Sequence, residues 1–208
     1  MDFFKNLLDY IKTRNNIPLV FKLFYCLFFL TIIYFNIIYY GISNLLWFSH
    51  FALILLLIGI LTENNLIISM MGLTSLLFYL GWSLMFIFRL LFGFNFQSLD
   101  YMFLSNIPIY VRSLSLFHII IPFFVIYLIN SLGYNKNALK YQSFLGVLLL
   151  IVTYILSPEK NINWIYGIVE PQSMFHPLFY LLLLCFGLLV LIYPPTHFIL
   201  SYFFEDSS

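Results

Sequence analysis

The stretch LFYCLFFLTIIYFNIIYY, Leu23 to Tyr40, runs for 18 residues without a charged side chain. A helix rises about 1.5 Å per residue, so with its apolar flank this run reaches the roughly 30 Å of a bilayer's hydrocarbon core. It is longer than the roughly 7–15-residue apolar region of a secretory signal. Tyr40, Gly41, Ile42 and Ser43 after it offer no small-x-small cleavage site. It reads as a retained membrane span.

The rest of the chain repeats the pattern. Over 208 residues, 63% are hydrophobic and only 8% charged, and the mean hydropathy is +1.01. A soluble domain carries about 25% charged residues, so this surface suits lipid and not water. Apolar runs predict six spans, at 20–41, 45–61, 66–90, 110–132, 143–157 and 177–203, the last with Pro194-Pro195 inside it. The fold class expected is an all-α polytopic bundle of about six transmembrane helices. Residues 20–208 form a single membrane domain with no room for a soluble one.

Before it, residues 1–19 read as an amphipathic helix lying in the membrane interface. Phe3, Phe4, Leu7, Leu8 and Ile11 share one helical face, while Asp2, Lys5, Asp9, Lys12 and Arg14 share the other. Asn15, Asn16 and Pro18 end that pattern.

Lys and Arg in short loops orient such a chain. Lys5, Lys12, Arg14, Lys22, Lys136 and Lys140 fall on one side; Arg89, Arg112 and Lys160 fall on the other. The richer side, with both termini, is expected to face the cytoplasm. The net charge of +1 excludes nucleic acid as a partner, leaving membrane lipids and other membrane proteins. Cys26 and Cys185 lie in apolar runs and read as fillers, with no disulfide or zinc framework. No internal repeat is visible, which gives an inverted-repeat transporter no support.

Polar side chains inside lipid are costly, so they are the first candidates for a site. The topology gathers His50, Arg89, Asp100, Arg112, His118 and His176 near the outer face. His50, His118 and His176, with Asp100, are a set that could hold zinc with an open position for water. The plainer reading is that each histidine bonds to a neighbouring helix. Arg89 and Arg112 either snorkel to headgroups or jointly grip an anionic group. Pro122 cannot donate to the carbonyl of His118, which leaves a polar notch in the fourth span, close to Ser113 and Ser115. Ser49 and His50 point about 100° apart on a helix, which makes a poor nucleophile–base pair. The loop from Pro158 to Gly167, with Asn161, Asn163 and Trp164, is either a membrane-surface anchor or a lid over the outer site.

Several stretches carry a resemblance. Ser115-Leu116-Phe117-His118 running to Pro122, then Leu132-Gly133-Tyr134 with Ala138-Leu139 and Gln142, resembles a set of bacterial multi-pass membrane proteins of no assigned function. The Pro158-Glu159 to Asn163-Trp164 loop and Pro195-Thr196-His197 are similar to the same set, with lesser support from Trp47 to His50 and Ser69-Met70-Met71. The resemblance implies a bacterial, multi-pass protein and carries no activity over to this chain. Zinc-dependent membrane hydrolases of the ceramidase type carry an HxxxH pair in their last span; here His176 and His197 are 21 residues apart.

Three function classes follow. The first is a structural or interaction subunit, consistent with the lack of repeats and of deep charge pairs. The second is a membrane-embedded, metal-dependent enzyme acting on a lipid through the His-lined outer site. The third is a small transporter, which would need a polar path through the bilayer.

Overall fold

In the computed structural model, residues 16–157, 160–168 and 170–204 are described; the amphipathic segment expected over 1–14 lies outside them. Among the described residues the protein is all helical. Five helices are long and apolar enough to cross a membrane: α1 (Leu19–Tyr40), α3 (Asn65–Phe92), α4 (Ile109–Leu132), α5 (Ala138–Leu156) and α6 (Pro177–Phe204). A shorter apolar helix, α2 (Phe48–Thr62), lies between α1 and α3. The chain is therefore a multi-pass membrane bundle, with its six helices where the apolar runs put them.

Two boundaries differ from expectation. The fifth helix begins at Ala138, not near 143, because Lys140 and Gln142 are tolerated in its first turns. The second begins at Phe48, because residues Ile42–Leu46 wind into a tighter 3-10 turn after Gly41.

The helices alternate in direction, and side-chain contacts define two ends. At one end Lys22 pairs with Glu63 at 2.7 Å, Asn135 N–H donates to Ser69 Oγ at 2.9 Å, and Tyr134 Oη meets His197 Nδ1 at 2.7 Å. The connections there are short: Glu63-Asn64 and 133–137. At the other end Lys160 reaches the Tyr40 carbonyl and Tyr39 meets Tyr110. Its connections, 41–47, 93–108 and 157–176, are longer. We call these the closed end and the loop-rich end.

α3 is the hub. It packs against α2, α4, α5 and the C-terminal part of α6, and Ile68 through Leu76 are buried without a break. A helix buried on all sides is one that other helices surround. Gly72 lets α4 and α6 approach, since a Cβ there would sit 2.8 Å from Ile129 Cδ1 and 3.0 Å from Leu200 Cδ1. Gly146 of α5 does the same for Tyr193, whose hydroxyl would overlap any added Cβ. Close packing thus rests on single glycines at helix crossings and not on a GxxxG stripe. α1 lies at the periphery, with Phe21, Phe24 and Phe28 edge-on to Phe124 of α4.

α6 is not uniform. Gly187–Ile192 forms wider π-type turns, just ahead of Pro194-Pro195. The two prolines lack N–H donors and crowd the preceding turn, and such widening recurs at functional sites.

Candidate functional site

A cavity of about 630 Å³ lies at the loop-rich end, within the roughly 300–1,000 Å³ of small-molecule sites. Its walls come from the end of α1, the start of α2, the later half of α3, and residues 183–192 of α6. The three tryptophans of the chain, Trp47, Trp82 and Trp164, all line it.

His50 stands in the first turn of α2 with 7% of its surface exposed. Its ring lies 5.7 Å from that of Phe117, edge to face. Both Nδ1 and Nε2 are buried with no hydrogen-bond partner. A buried polar atom left unmade costs roughly 1–3 kcal/mol, and in a cavity wall it marks where a ligand or water belongs.

His118 is held more tightly. It stacks on Trp82 at 4.6 Å and meets Tyr79 at 4.8 Å. Its Nδ1 lies 2.8 Å from the Ser115 carbonyl oxygen. A carbonyl only accepts, so Nδ1 bears a proton. The His118 carbonyl that Pro122 frees is taken by Ser83 Oγ at 3.2 Å, so the expected notch exists and α3 fills it.

Two segments cover the cavity. The 3-10 segment Gln97–Met102 is tied down by both arginines. Arg89 donates to Asp100 Oδ1 at 2.6 Å and to the Phe96 carbonyl at 3.0 Å, with its guanidinium 4.1 Å from the centre of the Phe103 ring. Arg112 Nη1 donates to the Met102 carbonyl at 2.7 Å. Tyr101, on this segment, points its hydroxyl at Ser115 and Trp82, and burial pushes it up to about 12. The residue as a whole is part-exposed; the hydroxyl itself is enclosed.

The second cover is the strap 160–168. Asn161 and Asn163 take left-handed backbone angles, φ 44° and 55°, which asparagine tolerates better than most residues. Asn161 Oδ1 accepts from Tyr166 N–H at 2.9 Å and its amide donates to the Gly167 carbonyl at 2.9 Å. Asn163 Oδ1 accepts from Phe48 N–H at 2.8 Å, and its amide donates to the Leu46 carbonyl at 2.7 Å. Asn163 therefore pins the strap to the start of α2, two residues from His50.

The floor is polar as well. Thr74 lines the cavity and hydrogen-bonds to the Tyr193 hydroxyl, which in turn accepts from Gln142 Nε2 at 3.2 Å. Sequence reasoning had no signal for this mid-depth chain, because its members are uncharged.

Of the six candidate residues, the structure brings His50 and His118 to the cavity. Arg89, Asp100 and Arg112 hold the segment above it. His176 is exposed and caps the start of α6, its Nδ1 accepting from Leu178 N–H at 3.3 Å. Among the described residues no three His, Cys, Asp or Glu side chains gather as a metal site. The sequence missed Tyr40, Tyr79, Trp82 and Asn36, which look like ordinary interfacial or span residues until the helices are assembled.

No family model, no curated protein and no solved structure matches the chain. The functional reading rests on this geometry.

Proposed function

We propose that the chain is a membrane-embedded binding protein that takes an amphipathic, lipid-like molecule into the cavity at its loop-rich end. The observation that carries this reading is His50: a buried imidazole with an unused donor and an unused acceptor, in the wall of a cavity of ligand size. The walls suit such a molecule, with amides, hydroxyls and aromatic rings near the loops and Leu183, Leu184, Leu188 and Ile192 on α6. Leu183 lines the cavity and is 41% exposed, which suits a chain reaching the cavity along α6.

Among the three classes, this reading takes the lipid-handling idea and leaves out catalysis, for which binding alone suffices to explain the site. The Lys and Arg distribution supports the closed end as cytoplasmic and the cavity end as external, in a bacterial cytoplasmic membrane. The resemblance to multi-pass proteins of bacteria agrees with that placement.

The test is intrinsic tryptophan fluorescence of the protein in nanodiscs, titrated with single-chain lipids brominated in the chain. All three tryptophans line the cavity, so binding gives saturable quenching that the unbrominated lipid reverses. Quenching that only rises linearly with partitioning into the bilayer would overturn the proposal.

A further inference from the structure

A second set of unused groups surrounds Tyr40, at the rim of the same cavity. The Tyr40 hydroxyl is buried without a hydrogen-bond partner. Arg112 lies within electrostatic reach of it, and the Arg112 Nε is also buried and unpartnered. On the other side of the residue, Lys160 donates to the Tyr40 carbonyl at 3.2 Å, which leaves two of its three ammonium protons uncommitted. Tyr40 and Lys160 both line the cavity.

The charge balance of this corner is one-sided. Lys22 is neutralised by Glu63 and Arg89 by Asp100. Arg112 and Lys160 make no ion pair among the described residues, and no described Asp or Glu lines the cavity. Cations next to a low-dielectric wall are stabilised by an anion. Charge-assisted hydrogen bonds to carboxylate or phosphate are also stronger than neutral ones.

We infer that the ligand is an anionic single-chain amphiphile. Its carboxylate or phosphate head is held by Lys160 and Tyr40, with the Arg112 charge behind Tyr40, and its chain lies along the Leu183–Ile192 wall of α6. This inference rests on the binding reading above and adds the charge and shape of the ligand. The shape follows from the apolar wall of Leu183, Leu184, Leu188 and Ile192, along which one chain can lie.

The experiment uses the same tryptophan quenching with three probes of identical brominated chain: a fatty acid, a lysophosphatidic acid and a monoacylglycerol. At least one anionic probe is expected to bind about tenfold more tightly than the neutral one, the size of one charge-assisted contact. Whichever of the two binds better identifies the head as carboxylate or phosphate. Lys160→Gln, at an exposed position where folding is least at risk, is expected to erase most of that preference. Lys160→Arg is expected to keep it. If Lys160 only caps the end of α1, Lys160→Gln lowers stability and leaves the ratio of anionic to neutral affinity unchanged, which overturns the inference. Equal saturable binding of all three probes also overturns it while the binding reading stands. No saturable quenching by any probe removes both.

Discussion

The two ends of this bundle are built on opposite principles. At the closed end the turns are short, and ion pair, hydroxyl and imidazole find partners: Lys22 with Glu63, Ser69 with Asn135, Tyr134 with His197. At the loop-rich end, polar atoms of Tyr40, His50, Arg112 and Ser157 are buried and unpartnered. Ser201 Oγ and Gln142 Oε1, the latter in the first turns of α5, are exceptions toward the closed end. In lipid an unmade hydrogen bond has no water to fall back on. The larger shortage at the loop-rich end is the feature that the proposed binding reading draws on.

The strongest way to break this contrast is at the strap. Asn163→Ala removes the contacts to Leu46, Phe48 and Thr153 and leaves a left-handed backbone without its asparagine. At about 1 kcal/mol for each bond, the expected loss is about 3 kcal/mol. Thermal unfolding in detergent measures it, and proteolysis within 160–168 should accelerate. An unchanged strap would mean that the aromatic packing of Trp47 on Trp164 holds it instead.

His50→Leu should act in the reverse sense on two readouts. Removing an orphaned imidazole raises stability by about 1–2 kcal/mol, and saturable lipid quenching disappears. Loss of both stability and binding would make His50 a packing residue. The counterpart at the closed end is Tyr134→Phe. Deleting its bond to His197 should cost about 1 kcal/mol, with lipid binding intact. Altered binding there would show that the two ends are coupled.

The smallest effect concerns pH. The Tyr101 hydroxyl has an ordinary value of 10.0, raised to about 12 where the segment is docked. Docking is therefore favoured fully below pH 10, and that contribution is lost as pH rises through about 12. Alkaline titration of segment mobility, by a spin label at Ser98, should show this step, and Tyr101→Phe should abolish it. A step that survives the substitution belongs to another group.

The helices were legible because the bilayer imposes a length and a composition, and both appear in the chain. The fifth start was missed since Lys140 and Gln142 look like loop residues, although a long cation near a helix end reaches the interface. His50 and His118 were legible for the same reason that makes them rare in lipid. The arginines and Asp100 stood out as costly charges, but their partners, Phe96, Phe103 and Met102, are set by the chain's return over the cavity. Tyr40 and Trp82 gave no sign, because aromatics at the interface are common and only assembly makes them converge, whereas Asn163 stood in a loop already singled out as anchor or lid and only its bonds to Leu46 and Phe48 were hidden. Gly146 likewise says nothing until Tyr193 is set against it.

The π-type turns at Gly187–Ile192 matter for how this protein can change over generations. Each residue gained or lost in a helix rotates everything beyond it by about 100°. The wide turns already absorb an irregular register, so a one-residue deletion there is a short step for the chain. Such a deletion would swing Leu183 and Leu184 off the cavity wall and bring neighbours in, while Tyr193 and the packed half of α6 stayed in place. A descendant could thus acquire a different cavity wall by a single-codon length change, with the core on the far side of the joint left as it was.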